Sequence, residues 1–146
     1  MQMDSNIRVR VEDKYSEMYN EMKNVLVLDS HRLFFICTCL GFEKRYSIPL
    51  KKPEDKFWSK TITPEEWTVY YCLQLVSNDM DLAAIEDDKK TIKVMEEYAN
   101  GGMEILLNEL LENFVVRRDG IEMLKLSDED LPFSFLMLLS ERAGID

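Results

Sequence analysis

The chain has 146 residues, 46% of them hydrophobic, and a net charge of −10. This length suits one globular domain, 1–146, with enough apolar residues to bury its own core. No apolar run approaches the roughly 20 residues that span a bilayer, and the polar N-terminus lacks the apolar segment of a signal peptide. We therefore expect a cytoplasmic protein that spans no membrane.

The charge is divided unevenly along the chain. Residues 1–60 contain 11 Lys or Arg and 9 Asp or Glu, which gives a net charge of +2. Residues 61–146, the acidic part, contain 7 Lys or Arg and 19 Asp or Glu, which gives a net charge of −12. Nucleic acid should repel the acidic part. Any DNA contact would therefore use the N-terminal part of the chain.

The first predicted element is an extended N-terminal arm. Residues 7–11 alternate apolar and basic side chains, which is typical of a short strand or an arm within residues 1–11. From Glu12 the spacing of apolar residues becomes helical. A first helix is therefore expected after the arm.

A nearly all-apolar segment, Leu33 to Leu40, predicts a second helix that is buried on most sides. Ser30 is its predicted N-cap, and Gly41 is its predicted left-handed C-cap. Residues 43–62 contain two prolines and several basic residues, so regular structure is not expected there.

Two further helices have clear start signals. In Thr63-Pro64-Glu65-Glu66, threonine suits the N-cap, proline the first turn and Glu66 the return bond of a capping box. The longest helical pattern begins at Asp87-Asp88. Its apolar stripe comprises Ile92, Met95, Ala99, Gly102, Leu106 and Leu110.

Gly101 and Gly102 lie inside this pattern, and each costs a helix interior about 1 kcal/mol relative to alanine. Either Asn100-Gly101 ends the helix and Met103 starts another, or one helix continues and uses the missing side chains for close packing. The stripe keeps its phase through the pair, which favours the continuous helix. Ala99, Gly101 and Gly102 are then a candidate helix-packing notch.

The C-terminal part predicts a hairpin and one more helix. Asp119-Gly120 lies between apolar segments, which is a hairpin signal, and residues 133–139 read as a final apolar helix. Taken together, the elements predict a mainly α fold. It would be a compact single-domain bundle of about five to six helices, with a small β-hairpin near Asp119-Gly120 and the extended arm.

No catalytic constellation is recognisable. The paired glycines lack the Lys-Ser/Thr of a P-loop and the third glycine of a dinucleotide fingerprint. His31 and Cys37 would lie on different faces of one helix, so a capping or solvent-facing histidine is expected rather than a Cys–His pair. We predict no enzyme, no cofactor and no metal site. The cysteines, interpreted as buried small hydrophobes, are Cys37, Cys39 and Cys72.

Three carboxylate clusters invite a metal interpretation: Asp79/Asp81, Glu86-Asp87-Asp88 and Asp128-Glu129-Asp130. None of them has the spacing and central glycine of a calcium loop. Each lies at a predicted helix start or connector, where the helix dipole favours acidic residues. We interpret them as solvated helix-start acids.

The basic side chains of the N-terminal part are the candidate contacts. Four of them fall within nine residues of the predicted 43–62 loop, a pattern that would suit phosphate contacts, docking of a partner protein, or plain solvation. The arm contributes two more. The candidate partner or DNA contacts are therefore Arg8, Arg10, Lys44, Arg45, Lys51 and Lys52.

Two segments together resemble a known family. One is the apolar segment from His31 to Phe42, which leads into Ile48-Pro49-Leu50, and the other is the glycine-containing segment from Glu96 to Leu106. They resemble the small accessory proteins encoded beside bacterial dnd-type DNA phosphorothioation and restriction genes. The resemblance covers about residues 25–112. It implies a phage-defence context and work within a multi-component system, and it carries over no catalytic motif.

Three functional hypotheses follow. The first is a non-enzymatic accessory subunit of a bacterial anti-phage defence system, linked to DNA phosphorothioation and restriction, that binds larger protein components of a defence complex. The second is a nucleic-acid-contacting module that uses the basic 44–52 loop and the N-terminal basic region. The third is an acidic DNA mimic that inhibits a DNA-binding enzyme.

Overall fold

Helices carry most of the fold in the computed structural model, which describes residues 6–111, 115–118 and 121–124. The mainly helical class is confirmed, but the described residues hold four α-helices, fewer than the five to six expected. The helix expected at 133–139 lies outside the described residues. The four helices are α1 (Ser16–Leu26), α2 (Ser30–Glu43), α3 (Pro64–Ser77) and α4 (Asp88–Leu106).

The hydrophobic core lies along the contact between α2 and α4, with α1 and α3 packed on this pair. Phe34 of α2 meets Phe57 and Tyr70 edge-on, with ring centroids 5.4 and 6.2 Å apart. Full burial of one large apolar side chain stabilises a fold by about 1.5–3 kcal/mol. The largest fully buried side chains are Tyr19, Tyr70, Phe34, Met18, Met22, Leu33, Ile92, Met95, Met103 and Leu106.

Helices α2 and α4 cross at glycines. A Cβ added to Gly102 would collide with the backbone carbonyl of Cys37, and a Cβ on Gly41 would collide with the backbone carbonyl of Tyr98. Helix α4 is continuous through Gly101 and Gly102, as the unbroken stripe predicts. The predicted C-cap at Gly41 is wrong, because α2 runs on to Glu43. The missing side chain of Gly41 serves the helix crossing instead.

The start of α3 is confirmed. Glu66 N donates to Thr63 Oγ1 at 3.1 Å, and Thr63 N donates to Glu66 Oε1 at 3.0 Å, which completes the capping box. The start of α2 differs by one residue from the prediction. Its N-cap is Asp29, and Ser30 is the first helical residue.

Helices α1 and α2 form a sharp corner. Helix α1 ends at Leu26. The next residue, Val27, has a left-handed φ of 52°, and its N–H donates to the carbonyl of Met22. The segment from Asp13 to Leu26 and α2 are bent by 112° at the break between them. In length and composition this bent pair would pass as a broken membrane span, but no single described helix would.

Two antiparallel strand pairs complete the described fold. Strand β1 (Arg8–Glu12) pairs with β2 (Pro53–Trp58) in a register that runs from Arg8↔Trp58 to Glu12↔Pro53. The expectation of no regular structure in 43–62 is therefore wrong at β2, because the arm supplies a partner strand. Strands β3 (Val115–Arg118) and β4 (Ile121–Leu124) pair through Arg118↔Ile121, which confirms the hairpin.

Candidate partner-binding surface

The two arginines of β1 have different environments. Arg8 is engaged with β2, since its Nε lies 3.6 Å from Asp55 Oδ2 and its guanidinium carbon lies 4.6 Å from the centroid of the Trp58 ring. Arg10 is exposed, and its backbone N donates to Glu96 Oε2 at 2.7 Å. Of the two, Arg10 is better placed to meet another molecule.

The basic loop, residues 44–52, is fixed at its first half by α2 and α4. Tyr46 N donates to the carbonyl of Gly41 at 2.8 Å, and Ile48 N donates to the carbonyl of Glu97 at 3.0 Å. Asn100 Nδ2 donates to the carbonyl of Ile48 at 3.2 Å. These bonds give the loop one backbone path, although it contains no helix or strand.

One buried carboxylate fixes the second half of the basic loop. Glu12, 8% exposed, accepts hydrogen bonds from Lys51 N at 3.1 Å and from Lys52 N at 2.7 Å. Asp13 N donates in turn to the carbonyl of Lys52 at 2.9 Å. Glu12 therefore stabilises the loop through its backbone and leaves both lysine side chains exposed.

All four cations of the basic loop are exposed on a segment whose backbone is fixed, namely Lys44, Arg45, Lys51 and Lys52. Arg45 has a left-handed φ of 52°, and its guanidinium carbon lies 3.9 Å from the centroid of the Phe42 ring. Cation–π contact of this kind holds a side chain in place while leaving its charge accessible. The arrangement suits an electrostatic contact with another molecule.

A cleft of about 250 Å³ opens beside the basic loop. Its apolar walls are Pro49, Leu50 and Pro53, and its cations are Arg10 and Lys93. Glu96 and Glu97 of α4 complete the lining. The loop cleft thus combines one apolar wall with charged groups of both signs, a combination that fits a side chain of another protein.

Glu96 lies at the cleft with 7% of its surface exposed. Burial raises the pKa of its carboxyl above the usual range, and the N–H of Arg10 partly opposes this. The folded protein therefore holds this proton more tightly than the unfolded chain. Ionisation of Glu96 costs stability as the pH rises through the carboxyl range.

Glu96→Gln should accordingly raise the free energy of unfolding at pH 7, because the amide oxygen still accepts from Arg10 N without a buried charge. The difference in the free energy of unfolding between the variant and the wild type should shrink as the pH falls below about 4, because residue 96 is then uncharged in both proteins. Urea unfolding across this pH range measures the difference. A variant that is less stable than the wild type at every pH would contradict the idea that ionised Glu96 destabilises the fold.

Glu12→Gln should loosen the second half of the basic loop. A glutamine of the same size offers one acceptor oxygen for two N–H groups, and its amide would face one of them. Amide hydrogen exchange at Lys51 and Lys52 should therefore accelerate. Ile48, which is held by the carbonyl of Glu97, is the internal control and should keep its protection.

The candidate helix-packing notch points into the molecule. A Cβ on Gly101 would collide with the backbone carbonyl of Tyr46 in the basic loop, whereas Gly102 faces Cys37 of α2. Ala99 is 2% exposed. Because neither glycine has a side chain, the basic loop packs closely on Gly101 and α2 packs closely on Gly102, in the same turn of α4.

A polar cluster that the sequence analysis missed joins α2 to α3. Glu66, 1% exposed, accepts from His31 Nδ1 at 2.9 Å and pairs with Arg32 Nη1 at 3.1 Å. The expectation of a capping or solvent-facing His31 is wrong, since its side chain is only 18% exposed and bonded to α3. Its partner is 35 residues away, so no local pattern could reveal it.

The thiols near this cluster are poorly suited to nucleophilic catalysis. Burial, together with the nearby carboxylate of Glu66, raises the pKa of the Cys39 thiol to about 11. Burial also raises the pKa of Cys37. Both groups therefore stay protonated near neutral pH, whereas a nucleophilic cysteine needs a lowered pKa. The expectation of buried cysteines is confirmed for Cys37, holds only in part for the half-buried Cys39, and is wrong for Cys72, which is exposed.

Residues 8–131 match a family model described as DNA sulphur modification system-associated protein 4. The chain belongs to this family. The resemblance carried by the two segments of α2 and α4 is thereby confirmed, and the match extends it to β1 and to the β3–β4 hairpin. No curated protein and no solved structure matches the chain. Members of the family are associated, by description, with a DNA sulphur modification system.

Proposed function

We propose that this protein is a non-enzymatic accessory subunit of a bacterial anti-phage defence system, in which DNA phosphorothioation is linked to restriction. It would act in the cytoplasm by binding larger protein components of the system. Its membership of a family associated with DNA sulphur modification supports the context. The protonated thiols of the buried Cys37 and the half-buried Cys39 support a role without nucleophilic chemistry.

The observation that carries the binding role is the fixed backbone of the basic loop. Glu12, Asn100 and the carbonyls of Gly41 and Glu97 hold the loop before any partner arrives. A surface that is already ordered loses less conformational entropy on association. The exposed cations would then steer and orient an acidic protein surface.

The binding role is tested with the co-expressed components of the DNA sulphur modification system. Lys51→Glu/Lys52→Glu should abolish co-purification, because both side chains are exposed on the fixed loop. Lys89→Glu/Lys90→Glu is the matched control, since it makes the same charge change at exposed positions in the first turn of α4. Failure of the wild type to bind any component would refute the proposal.

A second candidate function is DNA contact by the same surface. Arg10 and Lys93 add two cations beside the loop, at the cleft. Binding to duplex DNA should then weaken steeply with salt, and the slope should decrease in Lys51→Glu/Lys52→Glu. Unchanged DNA binding in that variant would exclude the loop.

The acidic-mimic hypothesis has less support. A DNA mimic needs its carboxylates on a continuous exposed stripe. Three acids of the acidic part, Glu66, Asp88 and Glu96, are buried instead. Asp88 accepts a hydrogen bond from the Tyr71 hydroxyl at 2.9 Å, which is a structural use of the carboxylate.

A further inference from the structure

A cluster of exposed apolar side chains lies where α3 ends. Val76 is 51% exposed, Met80 64% and Leu82 69%, all within seven residues. The remaining exposed large apolar side chains of the described residues, Val27, Tyr46 and Trp58, are separated along the chain. Exposed apolar groups that lie together mark interaction sites more often than single ones do.

The backbone beneath this cluster is strained but well bonded. Asp79 and Met80 have left-handed φ values of 54° and 62°, which non-glycine residues adopt at a cost of about 1–2 kcal/mol each. Met80 N donates to the carbonyl of Leu75 at 2.8 Å, and Asp81 N donates to the carbonyl of Asn78 at 3.0 Å. Met80 is therefore presented outward by a defined turn.

The charge around the cluster is acidic. Asp79 and Asp81 flank Met80 and are both exposed. No basic residue occurs between Val76 and Asp88. We call Val76, Met80 and Leu82, with Asp79 and Asp81, the acidic knob. A surface that receives the knob should offer an apolar slot with cations near it.

The same chain carries such a slot. The loop cleft has an apolar wall of Pro49, Leu50 and Pro53 and a volume of about 250 Å³. Its charged lining consists of Arg10, Lys93, Glu96 and Glu97. Its size suits one or two side chains rather than a large ligand. The exposed Lys51 and Lys52 adjoin it in sequence. The apolar wall and the size of the cleft suit Met80 or Leu82. Together with Lys51 and Lys52, the cations at and beside the cleft outnumber its two acids, so the charge of this surface complements the acidic knob.

We propose that the acidic knob of one molecule docks in the loop cleft of a second copy of this chain. Met80 or Leu82 enters between the proline and leucine walls, and Asp79 and Asp81 face the cations. Knob and cleft are different surfaces, so the contact is head-to-tail and leaves one knob and one cleft free in every dimer. The inference does not rest on the proposed function, because it involves only the purified chain.

The first experiment is sedimentation velocity of the wild type over a concentration series. The contact is small, so association should be weak, with a Kd of order 100 µM, and should weaken further with added salt. The average sedimentation coefficient should rise with concentration beyond the dimer value. A monomer at all concentrations up to about ten times this Kd would overturn the proposal.

The second experiment separates the two surfaces. Met80→Lys places a cation on the knob and leaves the cleft intact, whereas Leu50→Lys fills the cleft and leaves the knob intact. Each variant alone should be a monomer, with an association constant lowered at least about tenfold. Their mixture should form a 1:1 dimer that does not extend, because its remaining knob and cleft are both altered.

Controls keep this experiment decisive. Val27→Lys changes an exposed apolar residue elsewhere and should associate like the wild type. Lys93→Glu is a second cleft variant at an exposed position, for use where Leu50→Lys disturbs folding. A mixture that stays monomeric, or a Met80→Lys variant that still self-associates, would refute knob-in-cleft docking.

Discussion

Gly102→Ala should lower the free energy of unfolding by about 3 kcal/mol, at the upper end of the range for overpacked sites. The added methyl group would meet the backbone carbonyl of Cys37, which cannot rotate away as a side chain can. Helices α2 and α4 would have to separate along the core contact. Urea unfolding measures the loss, and the midpoint of thermal unfolding should fall by about 10 °C.

Gly101→Ala is the matched comparison, because it adds the same methyl group one residue away. That methyl meets the carbonyl of Tyr46 in the basic loop rather than a helix backbone. The loop can shift at the expense of a few hydrogen bonds, so the loss of stability should be smaller than for Gly102→Ala. Equal losses in the two variants would contradict the assignment of the tighter contact to α2.

Glu66→Ala should lower the free energy of unfolding by about 2–3 kcal/mol, because it removes a capping-box bond and the hydrogen bonds of a buried carboxylate, whereas the Arg32 side chain that is left behind is 45% exposed. The carboxylate accepts from His31, pairs with Arg32 and closes the capping box with Thr63, so one substitution leaves all three without their acceptor. Denaturant unfolding at pH 7 gives the loss directly.

Two comparisons show whether the loss comes from the cluster. Glu65→Ala removes an exposed acid one residue away in the same first turn and should change stability by no more than about 0.5 kcal/mol. A double-mutant cycle of Glu66→Ala with Arg32→Ala should give a coupling energy of about 1 kcal/mol or more. Additive losses would exclude the Arg32 pair and assign the effect of Glu66 to the cap and the His31 bond.

Local sequence patterns predicted the local features of the fold. The capping box at Thr63 and Glu66 is a contact over three residues, and the apolar stripe of α4 depends only on helical spacing. Both signals depend only on residues that are close in sequence. The capping box is confirmed, and the stripe is confirmed from Ile92 to Leu106. The β3–β4 hairpin, which the sequence predicted from Asp119-Gly120, is likewise a local feature.

The features that local patterns missed depend on distant partners. Strand β2 contains Pro53, Glu54 and Asp55, which disfavour a strand, and it forms only because β1 from the start of the chain pairs with it. The sequence around Gly41 resembles a helix C-cap, and only the packing of α4 across α2 shows that this glycine serves the helix crossing. The same limit applies to His31, whose partner is on α3.

The sequence predicted only part of the candidate partner-binding surface. The cations of the basic loop stand out in the sequence because four fall within nine residues. The loop cleft combines β1, the loop and α4, so Lys93 and Glu96 could not be associated with it before the fold was known. The fixed loop backbone depends on Glu12, whose role is equally non-local.

The glycines of the crossing limit how this family can vary in sequence. At Gly41 and Gly102 backbone atoms occupy the place where a side chain would begin, and at Gly101 the carbonyl of Tyr46 does so. Any relative that keeps α2, α4 and the basic loop in this arrangement must keep glycine at all three positions. A relative that carries alanine at one of them should show a compensating shift of the facing segment, so these positions can report a change of architecture from sequence alone.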